Sequence, residues 1–390
     1  MRTLRQVPGI LTILAFALTG MIAGPQAVAA HSEHQDVVGH VYVNDNTAPV
    51  NTIAGFDRHA DGTLTPLPGS PFTAGGMGAG SIIGSQGALQ LSSNGRFLLA
   101  VDAGSNQISV LRVHDDGSLQ PVHGSPFSSG GTKPVSIAVH DDLVYVANTG
   151  AGGSNYTGFR LGDNGRLQPI DGSTFSLPDS AMPVDVLFNS TGTRLAGIRD
   201  GTSMIDSFVV DDGLLTPAPS SPIPAQTAGP FGSEFRPTNP SQLFVSNAHA
   251  GAGAGTVSAF SVSSNATLTS IGASPFADNQ TAPCWVEISH DGKFLFMVNT
   301  ASETISSYMI ASDGSLSLLG STPIRDLSSN LRPFDARLDP TGKFLYIVDA
   351  GHATVSAFSV NGGSLTELAS SPFALPGGAT PFGIVVDGNT

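Results

Sequence analysis

One pattern recurs seven times along this 390-residue chain. A short apolar run ends in Asn or Asp, at Asp45, Asp102, Asn148, Asp200, Asn247, Asn299 and Asp349. Further on, a turn is followed by leucine, at Leu64, Leu119, Leu167, Leu215, Leu268, Leu316 and Leu365. Successive leucines lie 55, 48, 48, 53, 48 and 49 residues apart. A period near fifty with four strand-like runs per period predicts the blades of a β-propeller. Beyond the N-terminal segment no stretch keeps a sustained helical period, so an all-β chain is expected.

Residues 333–369 show one blade in full. The run 333–338 is followed by the turn Asp339-Pro340-Thr341-Gly342, then by the apolar run 343–348. A loop leads to 354–360, Asn361-Gly362-Gly363 turns, and 364–369 completes the blade. Asp61-Gly62, Asp116-Gly117, Asn164-Gly165, Asp212-Gly213 and Asp313-Gly314 supply the positive φ that a two-residue hairpin needs. Those acids are therefore read as turn formers. Pro66, Pro121, Pro169 and Pro217 follow the turn leucines by two residues and remove a ladder donor, which marks the fourth strand as the outer edge. Ser-Pro-Phe then follows at Ser70, Ser125, Ser274 and Ser371, a turn with an aromatic to pack between blades. The first blade begins at 38–42 with a second-type strand, and 381–386 matches the first strand it lacks. The expected fold is a seven-bladed propeller of four-stranded antiparallel blades, closed by the C-terminal strand joining the N-terminal blade, which leaves no free edge at the seam.

The first residues read as a targeting segment. Arg2 and Arg5 precede an apolar stretch over 10–23, and Ala27-Val28-Ala29 is a small-residue cleavage site. The stretch is too short for a membrane-spanning helix, no Cys follows to take a lipid, and the arginines are not adjacent as in twin-arginine export. Expected boundaries are a signal peptide at 1–29, a flexible tail at 30–36 and one propeller domain at 37–390. A secreted product, extracellular or periplasmic, follows from that reading. The mature chain has 14 basic against 30 acidic residues, a net charge near −16, which disfavours nucleic acid. Charged residues make up only 12% and glycines number 47, a composition suited to many tight turns. Cys284 is alone, so no internal disulfide forms, and a buried apolar role is expected.

Tyr145-Val146-Ala147-Asn148 and Tyr346-Ile347-Val348-Asp349 resemble the YVTN repeat of bacterial surface and exported propellers. The wider blade, with Asp-Gly-x-Leu and Ser-Pro-Phe, resembles the seven-bladed lactonase family, which includes 6-phosphogluconolactonases and 3-carboxymuconate lactonizing enzymes. The resemblance spans the mature chain. It implies a small lactone or its open hydroxy acid as partner, no cofactor and no metal. Family members commonly carry His after the proline that opens a first strand; here those positions are Val135, Val184, Phe231, Cys284, Phe334 and Phe382. No family catalytic residue is carried over.

Candidate site residues come from alternation in the first strands, which line a propeller's channel. Counting from the opening proline, offsets one, three and five are mostly apolar, so period two places offsets two and four on the other face. Those positions hold Ser136 and Ala138, Asp185 and Leu187, Gly232 and Glu234, Trp285 and Glu287, Asp335 and Arg337. Glu234, Glu287 and Asp335 are the candidate acid/base groups, since one carboxylate raised in pKa by burial and like charge could activate water. Arg337 and Arg332 are candidate holders of an oxyanion or substrate carboxylate, with Trp285 and Asp185 beside them. The loops add His249, Glu303 and His352, each just after a run-end residue. The same charges read equally as a salt-bridged ring holding blades together. His31, His34 and His40 fit no zinc spacing. A second functional expectation is a non-catalytic scaffold for a glycan or cell-surface ligand, with a shallow apolar crown of Phe231, Phe334 and Phe382. A monomer is expected in either case.

Overall fold

The computed structural model describes residues 36–325, 331–377 and 380–388, together with Met1 and Gly9. The chain divides into two units, Met1–Gln35 and Asp36–Thr390. The signal peptide and nearly all of the tail lie outside the described residues. No described helix is long and apolar enough to cross a membrane.

Residues 36 onward form seven antiparallel sheets in a ring. From the second blade to the seventh, the inner strands are Leu89–Leu91, Pro134–His140, Pro183–Phe188, Pro230–Phe235, Pro283–Ile288 and Pro333–Leu338. Each inner strand packs against the next, and the last meets Ile384–Val386, which returns to Leu89–Leu91. The seam lies where expected: Val41, Tyr42 and Val43 pair with Val386, Val385 and Ile384. Arg58 pins it, with Nη1 at 3.3 Å from the Asp339 carboxylate and Nη2 donating to the carbonyls of Val38 and Asp387.

Apolar second and third strands fill the space between blades. Val41, Leu99, Val146, Leu195, Val245, Met297 and Ile347 are fully buried. Tyrosines stitch neighbouring blades through the hairpin turns: Tyr42, Tyr145 and Tyr346 donate to the carbonyls of Gly117, Gly213 and Gly62. Gly62 shows why the turn needs glycine: its φ is +84° and a Cβ would lie 2.4 Å from the Phe344 ring.

The outer strand is broken in two in six blades, as at Leu64–Pro66 and Phe72–Thr73. The serine two residues before the second segment mends the gap by accepting the free third-strand N–H. Gly55, Val110, Gly158, Ser207, Ala259 and Ala357 donate to Ser70, Ser125, Ser173, Ser221, Ser274 and Ser371. The sixth blade lacks that serine motif, and its outer strand, Leu316–Pro323, runs unbroken.

Candidate active site in the channel

Just after the opening proline, the inner strands of the third to seventh blades slip register by one residue against their partners, as between Pro230 and Ser233 or Pro333 and Ala336. Such a bulge breaks simple alternation and re-aims the side chains around it. Offsets one and two therefore both reach the axis. Phe231, Phe334 and Phe382 at offset one pack around Trp285 at offset two, with ring centroids 4.4–6.5 Å apart. All four are buried. The expected shallow crown of phenylalanines is thus an internal aromatic plug, and the bulge is the reason.

A segment unforeseen from the repeat completes the plug. Between Thr73 and Leu89, residues 74–88 leave the blade pattern, and 85–87 cross to the opposite inner strands. Trp285 Nε1 donates to the Ser85 carbonyl at 2.8 Å, and Gln86 N–H to the Val184 carbonyl at 3.1 Å. The Gln86 carboxamide donates to the carbonyls of Ser233 and Val286 and accepts the Val286 N–H. Gly87 N–H reaches Asp335, and its carbonyl accepts the Ile137 N–H. This crossing explains Gly232, where a Cβ would sit 2.2 Å from Gln86 Oε1 and 2.3 Å from the Cys284 carbonyl.

Two residues further along the inner strands, roughly 7 Å on, the channel changes character. A cavity of about 160 Å³ is lined by Asp185, Ser233, Glu234, Arg337 and Gln90, and by the apolar wall of Ile137, Val139, Val186, Leu187 and Phe188. Asp185 is buried; its Oδ2 accepts Ser233 N–H at 2.9 Å and Ser233 Oγ–H at 2.6 Å. Glu234 is half-buried and, among the described residues, its carboxyl has no hydrogen-bond partner. Arg337 Nη1 binds Glu287 Oε2 at 3.2 Å, and Glu287 Oε1 accepts the Leu338 N–H at 2.9 Å. The buried Arg337 Nε has no partner in the protein. Asp335 accepts the N–H groups of Gly87 and Ala336.

Four carboxylates around one guanidinium tune one another. Burial, then repulsion from Glu287, pushes Glu234 up to about 8 against the pull of Arg337. Burial pushes Asp185 up to about 7, with the Ser233 hydrogen bonds opposing. Asp335 rises to about 6 and Glu287 rises as well, both by burial opposed by Arg337. Arg337 is held more firmly protonated, because attraction to these acids outweighs its burial. A carboxyl that stays protonated near neutral pH beside an arginine is the arrangement that proton transfer uses.

The remaining candidates lie apart. Antiparallel pairing sets the end of each second strand beside the start of the inner strand, Asn247 opposite Pro230 and Asp349 opposite Pro333. His249 and His352 follow those second strands and Arg332 precedes Pro333, so all three belong to the plug end. His249 Nδ1 lies 3.2 Å from Asp200, and His352 Nδ1 lies 3.0 Å from Asp349. Arg332 is exposed beside Ile82, Leu331 and Phe334. None of these three lines the cavity. Glu287 and Asp335 stand behind it, holding Arg337 and Gly87. Among the described residues no group of three or more His, Cys, Asp or Glu could hold a metal ion.

No curated protein matches the chain. Among solved structures, a protein of Bacteroides uniformis provisionally assigned as a 6-phosphogluconolactonase is 20% identical, with 90% of this chain and 100% of that chain covered and a TM-score of 0.70. The periplasmic gluconolactonase PpgL of Pseudomonas aeruginosa is 16% identical, with 90% and 99% covered and a TM-score of 0.69. At such identities the likeness is one of fold. The sequence pattern of the family described as "Lactonase, 7-bladed beta-propeller" matches residues 39–188 and 235–386, Glu234 falling just outside. With most of its ring matched in this way, the chain belongs to the seven-bladed β-propeller lactonase family.

Proposed function

We propose that this chain hydrolyses a small lactone, of sugar or muconate type, in the channel cavity, with Glu234 as proton donor and Asp185 as proton acceptor. The observation that carries the reading is that Glu234, Asp185 and Arg337 share one cavity, where the Glu234 carboxyl is left without a protein partner. At about 160 Å³ the space is below the ~300–1,000 Å³ of sites for drug-sized ligands, which suits a single small ring.

The oxygen of a water molecule bonds to the lactone carbonyl carbon while Asp185 takes one of its protons. Arg337 donates from its free Nη2 amino group to the carbonyl oxygen as it gains charge. The bond between the acyl carbon and the ring oxygen then breaks, and Glu234 gives its proton to that oxygen. One water is consumed, one hydroxy acid leaves, and loss of the proton from Asp185 and uptake of one by Glu234 restore both groups. A carboxyl with a pKa of about 8 starts this sequence protonated at neutral pH, and one of about 7 is partly ionised there. Glu287 and Asp335 act as positioning residues for Arg337 and Gly87.

The test is turnover of sugar and muconate lactones by the purified chain, followed as acid release. Glu234→Gln keeps the size of the side chain and removes the transferable proton. A kcat loss of about 100-fold or more with KM little changed is expected. Equal rates for variant and wild type on every lactone would remove the hydrolase reading. The proposal also sets this activity outside the cytoplasm, supported by the basic start, the apolar run and the Ala27-Val28-Ala29 site. N-terminal sequencing of the exported chain should begin at Ala30; a cell-retained chain starting at Met1 would sink that part.

A further inference from the structure

Resting on the hydrolase reading above, we infer that the substrate is an uncharged lactone, bearing neither phosphate nor carboxylate, and that the cavity holds the ring-opened acid only weakly. The charge inventory carries this. Asp185 and Glu234 line the cavity, Glu287 and Asp335 stand directly behind it, and among the described residues the only cation in the lining is Arg337. That arginine is already engaged, its Nη1 on Glu287. What it offers a ligand is the Nη2 amino group, which no atom of the described residues holds, while its positive charge is already met by Glu287, so no net cation is left to grip a phosphate or carboxylate. Arg332, the other arginine considered for an anion, belongs to the plug end.

The other polar groups suit hydroxyls. Among the described residues the Gln90 carboxamide has no hydrogen-bond partner, and Glu234 likewise keeps both oxygens available. Together they offer donors and acceptors to a ring carrying several hydroxyl groups. Gln86 and Gly87 add further polar surface, and Ile137, Val139, Val186, Leu187 and Phe188 supply the apolar part of the wall, none of which brings a second cation to meet a phosphate. The product of hydrolysis is itself an anion at neutral pH. It is formed among carboxylates, so repulsion favours its departure.

The experiment compares D-glucono-1,5-lactone with its 6-phosphate at pH 7.5, where Asp185 and Asp335 are largely ionised, and measures binding of the non-hydrolysable D-glucono-1,5-lactam and of D-gluconate by calorimetry. For the uncharged lactone kcat/KM should exceed that for the phosphate by about 100-fold, the size expected of like-charge juxtaposition at a site. Raising NaCl to 0.5 M should narrow the gap by improving only the phosphate, since salt screens the repulsion. The lactam should bind and gluconate should not. Comparable or faster turnover of the phosphorylated lactone, or gluconate binding as tightly as the lactam, overturns the inference while leaving the hydrolase reading in place. Lactam binding without any turnover difference between wild type and Glu234→Gln overturns the hydrolase reading and leaves the charge preference as a property of binding.

Discussion

The two halves of the channel are built from the same inner strands and could hardly differ more. Toward the opening prolines, Trp285, Phe231, Phe334 and Phe382 pack with the crossing segment 85–87 into a dry plug. Two residues further along, the same strands present Glu234, Glu287 and Arg337. The difference teaches that a propeller inner strand is not one surface. After the bulge, Phe231, Phe334 and Trp285 at the first two offsets become core, while Asp185, also at offset two, joins the offset-four residues in the charged cavity.

The comparison breaks most visibly at the plug. Trp285→Ala removes the largest buried side chain of the channel and orphans the Ser85 carbonyl, so a loss of ~3–5 kcal/mol is expected in denaturant unfolding. A change below ~1 kcal/mol would mean that the plug is not core.

A smaller effect should come from the charged half and depend on pH. The carboxyls of Glu234 and Asp185 titrate near 8 and 7 in the folded ring and near 4 when unfolded. Between those values the folded state holds more protons than the unfolded one. Stability therefore falls as pH rises from about 4 through about 8. Glu234→Gln cannot ionise, so its melting temperature should fall less over that window and exceed wild type at pH 8. Parallel melting curves for the two proteins would show that Glu234 is not held protonated by the fold.

The same two pKa values sharpen the comparison kinetically. With Asp185 needed ionised and Glu234 protonated, kcat should peak between pH 7 and 8. Asp185→Asn should flatten the acidic limb, and a rate still rising beyond pH 9 would exclude Glu234 as the donor. The smallest expected effect is Phe334→Leu, an apolar exchange in the plug. It should cost less than ~1.5 kcal/mol and leave the pH profile unmoved; a shifted profile would show that the two halves are not independent.

Much of this was legible in the chain. The period near fifty fixed seven blades and the seam, because every blade needs the same turns and apolar runs. Alternation also brought Asp185, Glu234, Glu287, Asp335 and Arg337 to attention. What it missed came from non-repeating parts. The bulge is a backbone event with no residue signature beyond the opening proline, so the phenylalanines at offset one were assigned to the wrong face. The crossing segment left a trace in the first leucine interval, 55 residues where 48 is usual, and in the glycines from Gly75 to Gly87. His249 and His352 looked like site residues because loops carry function, yet antiparallel pairing delivers them to the plug end.

The crossing of residues 85–87 has a consequence for traffic. Together with the aromatic rings it turns what would be a tunnel through the molecule into a cul-de-sac. Whatever enters the cavity must back out the way it came before the next molecule comes in. A long chain cannot thread this ring, so any larger compound would have to present its reactive end first.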